Sequence, residues 1–142
     1  MNKFLFYLSA RMFGEACLEL YICRLTPEGK QQVYLIPRPA NDPFYPSMLH
    51  MPGARKIPTE MDGDHLRRAI KETPFNLTNG CVEYIMSTTL KAKRGVEYAD
   101  IRRIVVPYNS EHRNFYDVNS LPGDIIAHHV LIINIVKGLD CQ

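Results

Sequence analysis

The sequence predicts one α/β domain of the α+β kind, built on a mixed β-sheet with helices on its faces. Three observations carry this expectation. The segments run strands, helix, strands, helix, which suits a sheet covered by helices. A length of 142 residues fits one domain spanning 1–142. Hydrophobic residues make up 46%, enough for a packed core, and the 23% charged residues are ordinary for a soluble globular protein.

The elements follow in order. Ala16 to Leu25 (ACLELYICRL) alternates loosely and is rich in strand formers. TPEG at 26–29 is a turn, and Gln32 to Pro37 (QVYLIP) a second strand, so a hairpin is expected. Arg38 to Ser47 holds three prolines and is a loop. Met48 to Met51 is a short extended piece before Pro52-Gly53. Asp62 or Asp64 caps a helix running to about Glu72, and Pro74 stops it. Gly80 to Leu90 reads as a strand, KAKRGVEYAD at 91–100 as a polar, basic loop, and Ile101 to Tyr108 as another strand. Asn114 to Val118 is a short strand. Ile125 to Gly138 repeats its apolar residues with helical spacing.

Composition excludes some classes. A net charge of +2 is too small to argue for nucleic-acid or membrane binding. No run of about 18 apolar residues is present, so no membrane span is expected. The opening MNKFLFYLSARMFGEA has a brief apolar stretch followed by Arg11 and no convincing cleavage site, so it reads as part of the fold. Its Phe4, Leu5, Phe6 and Leu8 could serve a homodimer interface. Cys17, Cys23, Cys81 and Cys141 show no paired spacing that suggests zinc. Cys17 and Cys23 share one strand face, too far apart to bridge, and read as buried thiols of a reducing cytoplasm.

Three stretches resemble the Nudix family of pyrophosphohydrolases. The first is the apolar strand, turn and QQVYLIPRP. The second is MLHMPGARKIPTE, which resembles the approach to that family's catalytic box. The third is NFYDVNSLPGDIIAHHVLIINIV, which resembles its closing strand, Leu-Pro turn and helix. The resemblance implies the Nudix fold, a mixed curved β-sheet sandwiched between helices. The family box runs Gly, five residues, Glu, seven residues, Arg-Glu, an aliphatic residue, any residue, Glu-Glu, any residue, Gly. Laid on this chain without a gap, Glu60, Arg68, Ile70 and Glu72 match. Ala54, Ala69, Thr73 and Phe75 depart.

The departures bear on chemistry. Pyrophosphate hydrolysis uses a metal to neutralise phosphate charge and activate water. Positions 69, 72 and 73 share one helix face, where the family presents three carboxylates and this chain presents one. The resemblance therefore implies a weakly active or inactive homologue that binds a nucleotide-like small molecule. The alternatives are an active divergent hydrolase using magnesium or manganese, and a protein-interaction module. The catalytic candidates are Glu72, Glu60 and Arg68, and the metal candidates Glu72, Glu60 and Glu111. The substrate-binding candidates are Arg38, Arg55, Tyr45 and His50.

Each candidate also has a plainer reading. Glu72 and Glu60 could each pair with Arg68, and Asp62 and Asp64 read as helix caps. Glu97, a candidate by location like Glu111, reads as a solvated loop carboxylate. Arg55, Lys56, Lys91, Lys93 and Arg94 read as solvated surface. Of His128 and His129, about 100° apart on a helix, one is expected to pack and the other to face water.

Overall fold

A computed structural model describes residues 14–76, 81–109 and 111–139. The N-terminal apolar segment at 4–8 and Cys141 lie outside the described residues. Strand β1 (Glu15–Leu25) is the axis of the sheet. Tyr21, Leu20, Ile22 and Cys23 are fully buried because both faces of this strand are covered.

β1 runs parallel to β7 (Gly95–Val105), which pairs antiparallel with β6 (Val82–Ala92). On its other side, β2 (Gln31–Tyr34) pairs antiparallel with the end of β1 and carries β8 (Phe115–Asp117). The order β6-β7-β1-β2-β8 makes a mixed sheet, as expected. The second expected strand is divided at Leu35, whose N–H turns to the Asn114 carbonyl at 3.0 Å. Beyond it, β3 (Ile36–Pro37) pairs with β4 (Leu49–His50) in a separate two-stranded sheet. β5 (Gly53–Arg55) then returns to the first half of β1.

Two helices cover the faces. Helix α1 (Asp62–Lys71) lays Ala69 and Ile70 against Leu18, Leu20, Ile22, Tyr34 and Ile104. Helix α2 (Ala127–Val136) lays Ile132, Ile133 and Val136 against Cys17, Tyr21, Cys23, Leu35 and Ile101. Neither is long and apolar enough to cross a membrane, and the same holds for every helix among the described residues.

Three local expectations are corrected. Residues 91–100 are not a loop: Lys91 and Ala92 end β6, Lys93 and Arg94 make the turn, and Gly95, with φ +136°, opens β7, which carries the chain on through Asp100. The inward positions there are Glu97 and Ala99, so the period-2 signal has no large apolar residues to reveal it. Neither Asp62 nor Asp64 caps α1. Met61 holds the cap position without a side-chain bond, while Asp62 pairs with Lys56 and Asp64 with Arg67. Both carboxylates still lie in the first turn, where the helix dipole favours them. His128 and His129 are both buried, because the start of α2 sits over the sheet rather than at its rim.

Candidate functional site

A cleft of about 860 Å³ opens where the start of β1, β5 and α1 meet. Its cationic lining is Arg55, Lys56, Arg68 and Arg94, its acidic lining Glu15, Glu19 and Glu72, and its apolar wall includes Met51, Ile57 and Pro58.

The rim is braced by Arg68. Its Nε and Nη2 donate to the two carboxylate oxygens of Glu60, each at 2.9 Å, and Nη2 also donates to the Arg55 carbonyl. The bidentate fork fixes the loop before α1 to the helix. The Arg68 guanidinium holds the Glu60 carboxyl down at about 2. His65 Nε2 donates to the Ala54 carbonyl at 2.7 Å and ties the same helix to β5. Glu72 closes α1 and faces the cleft.

The floor is a buried polar network. Glu15, Cys17 and Glu19 alternate along β1 and so share one face, and the parallel register sets Glu97 of β7 beside Glu15. Glu15 sits between Arg55 Nε at 3.0 Å and Arg94 Nε at 3.2 Å. Neither arginine is aligned for a hydrogen bond to it. Burial raises the Glu15 carboxyl above its ordinary range against the pull of both arginines. Arg94 Nε donates to Glu97 Oε1 at 2.7 Å.

Glu19 is different. Burial, reinforced by Glu97, pushes its carboxyl up to about 8. Burial likewise pushes the Cys17 thiol up. His129 accepts the Met51 N–H on Nδ1 at 2.8 Å, so its proton sits on Nε2, 3.8 Å from Glu19 Oε2. His128 Nε2 lies 3.6 Å from Glu97 Oε2. Burial lowers both histidines and, lining the cleft, His50, which falls to about 4. These rings are therefore neutral at physiological pH.

The cleft brings together Arg55, His50, Arg68 and Glu72 from the sequence-derived candidates, with Glu60 behind Arg68. The others stand elsewhere. Arg38 pairs with Asp42, the Tyr45 hydroxyl accepts the Lys93 N–H at 2.7 Å, and Glu111 lies in the exposed loop before β8. Neither Glu97 nor Arg94 is a solvated loop residue. Glu97 is 1% exposed and Arg94 is drawn in with it. Glu15, Glu19 and Arg94 belong to the site although no motif marks them: each is a charge inside or beside a strand whose partner comes from a distant segment.

No family model and no curated protein matches the sequence. Solved structures do. A MutT/Nudix family protein from Listeria innocua superposes with a TM-score of 0.69 at 12% identity, over 87% of this chain and 92% of that one. The Nudix domain of Shewanella oneidensis NrtR, solved with ADP ribose, gives 0.62 at 14%, over 87% and 86%. The C-terminal domain of mouse MUTYH, solved with human PCNA, gives 0.67 at 9%, over 87% of each chain. The chain has the Nudix fold.

Within a Nudix fold, α1 is the helix on which the box resemblance lies. Ala69 has no exposed surface and packs with Leu18 and Ile70. The Thr73 hydroxyl donates back to the Ile70 carbonyl at 2.7 Å. Only Glu72 of the three positions offers a carboxylate to the cleft. Magnesium requires oxygen ligands in near-octahedral array. This donor set does not fit an ion clamped by the box helix alone.

Proposed function

We propose that this chain binds a nucleotide-like diphosphate ligand in the cleft and hydrolyses it weakly or not at all. The observation that carries the reading is the state of the box helix: Ala69 is core, Thr73 is folded back, and Glu72 stands alone. A single box carboxylate supplies one negative charge where the family box supplies three. The cleft lining supports the binding half of this reading. Arg55, Lys56, Arg68 and Arg94 supply cationic donors at the rim and floor, and Ile57 and Pro58 supply an apolar wall against which a base can pack. Arg55, His50 and Arg68 are the substrate-facing groups in this reading, and ADP ribose in the NrtR Nudix domain is a precedent for the ligand class.

A second reading keeps activity. Glu72 faces the cleft beside Arg68, so a divergent hydrolase would hold magnesium or manganese through Glu72 and a carboxylate from outside the box. Glu60 would serve only by giving up Arg68, and Glu111 only by a movement of its loop. The MUTYH domain bound to PCNA illustrates a third use of this fold, as a protein-binding module.

Thermal-shift and calorimetric titration with ADP ribose and other nucleoside diphosphate derivatives tests the proposal. Saturable binding is expected, weakened about tenfold or more in Arg55→Ala through loss of a charge-assisted contact. No binding by any member of the panel would contradict it and favour the protein-binding module.

A further inference from the structure

The buried face of β1 presents Cys17 and Glu19 at alternate positions, and β7 presents Glu97 beside them. Each offers one ligand atom, and these atoms lie within 4.8 Å of one another. Cys17 Sγ is 3.9 Å from Glu97 Oε2. In a tetrahedral zinc site, bonds of about 2.0–2.3 Å set neighbouring ligand atoms about 3.3–3.8 Å apart. Rotamer adjustments of about 1 Å close the three atoms onto one ion.

A second observation is independent of this spacing. Glu19 is 6% exposed and lines the cleft. Among the described residues no arginine or lysine nitrogen lies within salt-bridge distance of it, and Arg94 and Arg38 act on it only from farther away. Its neighbours are the Cys17 thiol and the neutral His129 ring. A carboxyl buried without a cation of its own stays in its neutral form, and a divalent ion on the cleft side would take the place of that proton.

The neighbouring groups already stand as supports. Glu97 gives Oε1 to Arg94, which leaves Oε2 on the thiol side. His129, its Nδ1 already taken by the Met51 N–H, stands 3.8 Å from Glu19 through Nε2. Gly53 lets the rim approach, because a Cβ there would fall 2.8 Å from Glu19 Oε2.

We propose that Cys17, Glu19 and Glu97 hold one divalent transition-metal ion of the zinc class at the cleft floor, with its remaining coordination position open to the cleft. A thiolate with two carboxylates suits zinc or cobalt, whereas magnesium prefers oxygen ligands throughout. An open position distinguishes a catalytic from a structural site. This site lies on strands, excludes Glu72, and stands whether or not the cleft binds a nucleotide.

The test uses the full chain with Cys81→Ser and Cys141→Ser, stripped with chelator, so that Cys17 and Cys23 are its only thiols. Cobalt(II) alone is the probe. One ion per chain is expected, with a thiolate-to-cobalt charge-transfer band and the intense visible bands of tetrahedral geometry, both removed by added zinc. Cys17→Ser abolishes the charge-transfer band, and Glu19→Gln weakens affinity about tenfold or more. Absence of the band at saturating cobalt, or its persistence in Cys17→Ser, overturns the proposal. So does cobalt binding that is lost in Glu72→Gln but kept in Cys17→Ser. Should Cys17→Ser fail to fold, unchanged cobalt affinity in Glu19→Gln overturns it alone.

Discussion

At the cleft rim, charge fixes one residue and steric contact another. Glu60 is held ionised by Arg68, so its folded carboxyl lies at about 2, below the ordinary 4.5. A depressed carboxyl contributes stability above its unfolded value and loses it as pH falls through the folded one. Urea midpoints of the wild type should therefore fall between pH 4.5 and 2, and Glu60→Gln should flatten that limb. Equal slopes in the two proteins would refute the bracing role. Gly53 is a steric case. A Cβ there would meet the Leu18 carbonyl at 2.3 Å, a backbone atom that cannot swing aside. Gly53→Ala should cost about 1–3 kcal/mol in denaturant unfolding through overpacking.

At the scale of elements, β1 and α1 divide the site between them. β1 supplies the floor. Glu19, raised to about 8 by burial, has its folded value above its unfolded 4.5. Such a group stabilises fully below pH 4.5, and that contribution is lost as pH rises through about 8. In chelator-treated protein, wild-type stability should decline from pH 5 to 8, while Glu19→Gln, which keeps the neutral shape, should lack this component. A pH-independent difference between the two would contradict the assignment. α1 supplies the rim, and of its three box positions only Glu72 offers a carboxylate to the cleft. Ala69 lies in the core between α1 and β1, so restoring the family carboxylate places a charge among Leu18, Leu20 and Ile70. Ala69→Glu should lose about 3 kcal/mol or more and gain no turnover. A stable, active Ala69→Glu would show that the position reaches the cleft.

For the whole molecule, the sequence made the layers legible more fully than the site. The alternation of β1, the turn at TPEG and the Pro74 stop after α1 report local geometry, and local geometry is what a sequence encodes most directly. The box alignment found Arg68 and Glu72 because their spacing is carried by one helix. The floor was not legible. Glu15 meets Glu97 only through the parallel register of β1 and β7, and Arg94 is buried only because that pairing draws it in. Read singly, each is an ordinary charged residue. His128 and His129 mislead for a similar reason: helical spacing sends them to different directions, yet the sheet and the 38–51 segment cover both.

Binding without turnover is tested most directly by two readouts on the same samples. Calorimetry would measure binding of ADP ribose, and product release would be followed in the same samples with magnesium or manganese, for wild type and Glu72→Gln. Saturable binding is expected in both proteins, with release at or near the uncatalysed rate in both. Rapid metal-dependent release by the wild type that collapses in Glu72→Gln would contradict it, and would make the lone box carboxylate a working metal ligand.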